Sequence, residues 1–401
     1  MTAMEPVIKQ LVLKRFRSIP VQRITFDNPT IFVGRNGSGK SNVVSAFAFL
    51  AEAMQAPLQA VFDRAGGIAA VRNRSSGQSY PPNLGVRVDF SCLNGSAAGG
   101  FYAFEIKALP NYGFAVLREQ CRVSHGSTQA WFDRNGTSFR SSVKGLTPAI
   151  DPAALGLPLI GGEESFAPVF RTLAGLRVYA IDPAKLAELQ EPDSGVALRP
   201  DGANATSVLK EIERQSPSDF ARISEILATI VPNTKQVQVL KHGKHLALSF
   251  IQEWSNGRPK RLKFEGFSMS DGTLRAIGLI AAVFQRPAPI LIAVEEPELT
   301  IHPGALESIL ELLVNASKHM QVVITTHSPE LLDAKWITDR HLRLVEWQAG
   351  ATRVAEVSDA NREALRTHLM GAGDLLRANA LEPAPLFDRD LEQGRLFEDL
   401  A

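Results

Sequence analysis

Eight consecutive residues carry the most definite chemistry in the chain: Gly34-Arg35-Asn36-Gly37-Ser38-Gly39-Lys40-Ser41. They spell a complete G-x-x-x-x-G-K-[ST] phosphate-binding loop. Glycines let successive backbone N–H groups curl round a phosphate, and a helix that starts at the loop adds partial positive charge. At this spacing Lys40 is expected to reach the β- and γ-phosphates of a nucleoside triphosphate, and the Ser41 hydroxyl to lie on Mg²⁺. Asn42 continues the nucleotide-binding run. The expectation is that this chain binds ATP with Mg²⁺.

Later segments offer the rest of a hydrolytic site. Glu295-Glu296-Pro297-Glu298 follows the unbroken apolar run Ile290–Val294. Acidic residues at the carboxyl end of a central strand sit where an α/β sheet presents its ligands. One carboxylate can hold Mg²⁺, a hard ion that prefers oxygen, and its neighbour can orient and deprotonate water. A solvated acidic turn is the plainer reading, and the upstream phosphate loop weighs against it. Gln321–Thr326 is a second apolar run, ending in His327. A lone histidine is more often structural, but one just beyond a central strand can contact a γ-phosphate and sense its loss. Ser270-Asp271-Gly272 precedes an apolar helix and reads first as an N-cap, although a helix start is also an anion site. Leu299-Thr300-Ile301-His302 directly follows the acidic pair.

These residues require particular elements to hold them. Ile31, Phe32 and Val33 read as the end of a buried strand before the loop, and Phe47, Leu50, Ala51 and Met54 recur at helical spacing after it. Val7–Leu13 and Val21–Phe26 read as an antiparallel pair. Ala56–Gln78 yields no assignment. From Gly85 to Val143, the runs Val86–Phe90, Phe101–Ile106, Phe114–Val123 and Gln129–Phe132, separated by turns such as Asn94-Gly95 and Asn135-Gly136, predict an antiparallel sheet. Leu176–Ile181 reads as a strand. Asp201-Gly202 introduces a helix through Val208, Leu209 and Ile212, and Pro217 begins another with Phe220, Ile223, Ile226, Leu227 and Ile230 on one face. Val237–Val239 with Leu246–Ile251, and His341–Trp347 with Thr352–Val357, read as hairpins. Pro303 starts a helix carrying Leu306, Ile309, Leu310 and Leu313, and Ser358-Asp359 caps one carrying Leu365 and Leu369.

Composition sets the limits. The 401 residues are 45% hydrophobic and 21% charged, as in ordinary globular proteins. A formal net charge of +1 advertises no nucleic-acid or anionic-membrane partner in the overall balance. Cys92 and Cys121 lack metal-type spacing and fit buried thiols in a reducing compartment. The N-terminus has no long apolar core, and no stretch approaches the roughly 18 apolar residues of a membrane span. A cytoplasmic protein without a membrane partner is expected.

The order of Gly34–Ser41, Ser270-Asp271-Gly272, Glu295-Glu296-Pro297-Glu298 and Thr326-His327-Ser328-Pro329 resembles the ABC-type ATPase heads of the RecF, SMC and OLD group. Phe16-Arg17-Ser18-Ile19, Leu198–Leu209 and Leu274-Arg275 make it more closely similar to the stand-alone bacterial AAA-family ATPases of that group. By this resemblance Gly34–Ser41 is Walker A and Ser270–Gly272 is the signature. Glu295 takes the Walker B metal-side position, Glu296 is the catalytic glutamate, Leu299–His302 is the D-loop and His327 is the switch histidine. Glu295 stands where transporter ATPases usually have Asp, and Asp271 where they have Gly. The Q-loop glutamine stays open among Gln55, Gln59 and Gln120.

The fold implied is α/β: an ABC-type P-loop NTPase head with a mixed or parallel central sheet, an antiparallel β-subdomain and a helical signature lobe. One composite domain over 1–380 is expected, with the β insertion at about 85–145, the helical lobe at about 200–285 and a tail at 381–401. The resemblance also implies a homodimer driven by ATP, the nucleotide sandwiched between the Walker A of one protomer and the signature of its partner. DNA or an effector protein would be the further partner, in genome maintenance or anti-phage defence. An OLD-type nuclease is the rival: residues 328–401 are too few for its Toprim domain, and Asp388-Arg389-Asp390 reads as chance in a Pro- and Leu-containing tail. An SMC-type tether is disfavoured, because no heptad run interrupts the head. A transporter motor fits poorly with Phe16-Arg17-Ser18 and the β-rich insertion.

Overall fold

Two patterns build the sheets: apolar and polar residues alternate in strands with one solvated face, and unbroken apolar runs form strands covered on both faces. In a computed structural model describing residues 4–73, 83–91, 99–111, 113–125, 128–255, 259–385 and 395–399, strands β1 (Ile8–Phe16), β2 (Ile19–Thr25) and β3 (Thr30–Val33) precede the loop. They are followed by β4 (Asn83–Phe90), β5 (Gly100–Ala108), β6 (Phe114–His125), β7 (Thr128–Asn135), β8 (Ser138–Ser141) and β9 (Leu176–Tyr179). The remainder are β10 (Thr234–His242), β11 (His245–Ser255), β12 (Pro259–Glu265), β13 (Leu291–Glu295), β14 (Gln321–Thr326), β15 (Leu342–Gln348) and β16 (Ala351–Ala355). Asn94-Gly95, Cys92 and Asp388-Arg389-Asp390 lie outside the described residues.

The chain divides into two compact units. One comprises Glu5–Leu176, Thr338–Met370 and Ala378–Ala401. Its seven-stranded antiparallel sheet runs in the order β2-β1-β4-β5-β6-β7-β8, so the expected β insertion continues the N-terminal hairpin rather than forming a separate sheet. Val12 pairs with Arg87, Arg87 with Ala103 and Ala103 with Gln120, which places Leu11, Leu13, Val86, Val88, Tyr102 and Phe104 on the opposite, buried face. Phe49 of the loop helix Lys40–Gln55 packs there, its ring 5.8 Å from Phe16 and 6.3 Å from Phe104. The unassigned connection folds as two short helices, Leu58–Arg64 and Ile68–Val71, as far as it is described. β3 runs parallel to β15, which turns back into β16.

The tail docks on the outer face of that sheet. Leu396 is buried where a Cβ on Gly85 would overlap it, and Glu398 pairs with Arg87 and Arg122, each at 2.6 Å. The Gln120 amide donates to and accepts from the backbone of Glu398, both at 3.0 Å.

The other unit comprises Met1–Met4, Arg177–Ile337 and Gly371–Arg377. β13 and β14 run parallel with Glu295 opposite Thr325, and β10-β11-β12 form an antiparallel sheet. Around them pack the helices Ala205–Gln215, Pro217–Ile230, Asp271–Phe284 and Pro303–Ala316, with Ile223, Leu227, Ile277, Ile280 and Ile309 in the core. Among the described residues no helix is long and apolar enough to cross a membrane.

Candidate nucleotide site

The phosphate-loop residues lie wholly in the first unit. Gly37 and Gly39 adopt left-handed conformations, φ 78° and 103°, which residues with a Cβ rarely take. A side chain on Gly34 would also run into the Val345 carbonyl, and one on Gly39 into Thr352. Gly39 is the N-cap of the helix and has no side chain with which to cap it. The helix therefore turns its partially positive start toward the loop with no side chain across it. Lys40 is 5% exposed and donates to the carbonyls of Gly34 (2.8 Å) and Arg35 (3.2 Å), so its ammonium lies along the loop, while Arg35, Asn36 and Gly37 are exposed.

A polar chain fixes this loop from outside. Thr352 on β16 donates to the Ser38 carbonyl (3.0 Å), its hydroxyl lies 2.6 Å from that of Ser18, and Asn42 Nδ2 donates to Ser18 Oγ (2.6 Å). Ser18 and Thr352 stand 334 residues apart, and nothing in the sequence pairs them.

The acidic residues lie in the second unit. Glu295 ends β13, half-buried, and Glu296 turns sharply out of the strand with φ 44°. A non-glycine residue held in that region is a local strain, kept only where its surroundings over-determine it. They do so here. The Glu296 N–H donates to the Thr325 carbonyl at 3.0 Å, and Arg275 Nη2 donates to the carbonyls of Glu295 (3.2 Å) and Glu296 (3.1 Å). Arg275 is largely buried, and desolvation pulls its pKa down. The Glu296 side chain is half-exposed, with His327 Nδ1 3.1 Å from its Oε1. Glu298 accepts from Thr326 Oγ1 at 2.6 Å, and its Oε2 has no hydrogen-bond partner among the described residues. Burial pushes the Glu298 carboxyl up.

The Ser270-Asp271-Gly272 turn starts the helix Asp271–Phe284, and Ser270 Oγ accepts from the Thr273 N–H, so the capping role is realised. Ser270 and Asp271 are exposed. Gly272 lets that helix approach the D-loop segment, since a Cβ there would meet the Thr300 carbonyl at 2.5 Å. Thr300 is itself left-handed, φ 61°.

Each unit thus gathers its own share of the expected residues: Gly34–Asn42 in one, and Ser270–Gly272, Glu295, Glu296 and His327 in the other. Of the Q-loop candidates, Gln120 is occupied by the tail backbone, Gln55 donates to Ala51 and Ala174, and Gln59 to Asp63. Sequence reasoning did not foresee the Arg275 clamp. A charged residue inside the apolar pattern of that helix is the signal that could have found it.

The fold has solved counterparts. A crystal structure of an SMC head bound to the C-winged-helix domain of ScpA matches with a TM-score of 0.55 at 15% identity, over 89% of this chain and 99% of that one. An SMC head with an extended coiled coil, bound to the C-terminal domain of ScpA derived from Pyrococcus furiosus, matches with 0.53 at 14%, over 91% and 99%. This likeness establishes the fold, the mixed α/β architecture of SMC head domains. The family model described as "AAA domain, putative AbiEii toxin, Type IV TA system" matches residues 30–111 and 173–333, and the chain belongs to that family. A curated relative, the Old nuclease of Escherichia phage P2, is 50% identical over 46 residues, which span 11% of this chain and 8% of the relative. Family and fold together support an ATPase.

Proposed function

We propose that the chain hydrolyses ATP with Mg²⁺ and works as a switch that closes on a second copy of itself. The observation that carries this is the phosphate loop: left-handed glycines, a helix start without a side-chain cap, and Lys40 turned along the loop. In this reading the N–H groups of Gly37–Ser41 and the Lys40 ammonium take the β- and γ-phosphates. The Ser41 hydroxyl and the Glu295 carboxylate are hard oxygen donors of the kind Mg²⁺ takes, and that ion when bound neutralises phosphate charge. Glu296 orients a water and accepts its proton as the water oxygen bonds to the γ-phosphorus and the bond to the β–γ bridging oxygen breaks. His327 holds the Glu296 carboxylate in place and registers the departure of the γ-phosphate.

The signature residues Ser270–Gly272 serve the ATP of the partner copy. Exposed Ser270 and Asp271 support this, as do the exposed apolar side chains Phe267 and Leu299 in the same unit. ATP that binds the dimer better than separate copies drives closure by linkage, and hydrolysis releases it. By likeness to the SMC heads and the Old nuclease, the switch acts on DNA or alongside an effector protein, in genome maintenance or anti-phage defence, in the cytoplasm. The local match to the Old nuclease favours one second reading, an ATPase whose nuclease is a separate protein.

Sedimentation with ATP and Mg²⁺ tests the switch. The wild type is expected to dimerise, and Ser270→Arg to bind ATP with near-normal affinity yet remain monomeric. An ATP-dependent Ser270→Arg dimer indistinguishable from wild type refutes the role of the signature in trans.

A further inference from the structure

We propose that Trp347 is the surface on which the nucleobase stacks, and that the hollow beside it is the nucleoside half of the site. This rests on ATP being the ligand of Gly34–Ser41. The hollow, about 470 Å³, lies wholly within the first unit and is lined by Arg17, Ser18, Asn42, Ala70, Arg72 and Trp347. Its size falls within the range of about 300–1,000 Å³ usual for small-ligand pockets.

Four separate elements meet there. The β1–β2 turn brings Arg17 and Ser18, the loop helix brings Asn42, the end of the helix Ile68–Val71 brings Ala70 and Arg72, and the β15–β16 hairpin brings Trp347. Register ties the indole to the phosphate loop. Trp347 stands directly opposite Thr352, so both side chains leave the same face of the hairpin. Thr352 in turn donates to the Ser38 carbonyl of the loop, and Asn42 immediately follows Ser41. A base tethered to phosphates on this loop therefore has an aromatic face one cross-strand pair away.

The chemistry of the wall suits a nucleoside. Trp347 is 53% exposed, an indole with an open π-face beside an anion-binding turn. Arg17 and Arg72 are half-buried, and guanidinium groups only donate, which matches the acceptor-rich edge of a purine, the ribose oxygens and the α-phosphate. Ala70 leaves room for a flat ring. Stacking on an aromatic side chain tolerates any base and strengthens with ring area, so the hollow is a purine platform rather than a base-reading pocket.

Binding of ATP and of inorganic tripolyphosphate to wild type, Trp347→Ala and Trp347→Phe, measured by calorimetry, tests this. Trp347→Ala is expected to bind ATP roughly tenfold more weakly and tripolyphosphate as tightly as wild type, with Trp347→Phe retaining most of the ATP affinity. Tryptophan fluorescence should change on ATP in wild type and not in Trp347→Phe. Unchanged ATP affinity in Trp347→Ala, or equal loss of ATP and tripolyphosphate, overturns the assignment while leaving the phosphate loop intact. Failure of wild type to bind either ligand removes the reading on which it rests.

Discussion

Two carboxylates, one in each unit, show how differently this molecule treats the same group. Glu119 on β6 is fully buried and surrounded by donors: Tyr102 Oη at 2.8 Å, the N–H groups of Gly156 (2.6 Å) and Leu157 (2.9 Å), and Arg134 Nη1 at 3.6 Å. Arg134 is almost fully buried and donates to the carbonyls of Gly136 and Asp151 as well. Burial still pushes the Glu119 carboxyl up, against the pull of those donors. Glu296 is half-exposed, hung on a strained backbone that Arg275 and Thr325 hold, with His327 at one oxygen. The first carboxylate is saturated by the fold and can only pin one segment to another. The second has its main chain fixed and its side chain left in reach of water, the arrangement a general base requires.

The sharpest test of this contrast is Glu296→Gln, which keeps the shape and removes the base. ATP turnover is expected to fall about 10²–10⁴-fold while the denaturation midpoint stays close to wild type. Phosphate release within a few-fold of wild type would show that Glu296 is not the base. Glu119→Ala should do the reverse. It leaves the Arg134 guanidinium buried without its acid, so urea unfolding should show a loss of about 3–5 kcal/mol, with turnover per folded molecule little changed. A stability within about 0.5 kcal/mol of wild type would mean that the network relaxes freely.

Glu298 lies between these extremes, and its effect should be the smallest. Its pKa in the fold is raised by burial above the unfolded value, so folding favours the protonated form. That contribution is fully present below the unfolded carboxylate pKa and is lost as pH rises through the folded one. Glu298→Gln, which cannot ionise, should match wild-type stability near about pH 4 and exceed it slightly near about pH 8. A difference between the two proteins that does not change with pH would contradict the direction of the shift.

Much of this contrast was legible in the residues themselves. Val7–Leu13 alternated and became β1, Pro217 began a helix where its fixed φ fits, and Ser270 capped one with its hydroxyl. Ile290–Val294 read as a doubly covered strand and forms β13 from Leu291. In each case the deciding interactions fall within a few residues of chain. Glu119 gave no comparable sign. A lone acid in an alternating strand reads like any exposed one, and only the arrival of Gly156 and Leu157, 37 and 38 residues on, makes it a buried pin. The tail gave no sign of its place either, because Leu396 and Glu398 gain partners only once Gly85, Arg87, Gln120 and Arg122 share one sheet face.

The sequence by itself determined the phosphate loop, its helix, the acidic strand end and the family, since eight contiguous residues with two glycines forced into left-handed turns encode their own geometry. Tertiary structure alone decided that Thr352 and Ser18 brace that loop, that Arg275 grips the turn at Glu296, and that Trp347 faces the hollow beside Asn42. The reason is range: a turn is written in neighbouring dihedral angles, whereas a brace between residues 334 apart exists only after sheet register has brought them together.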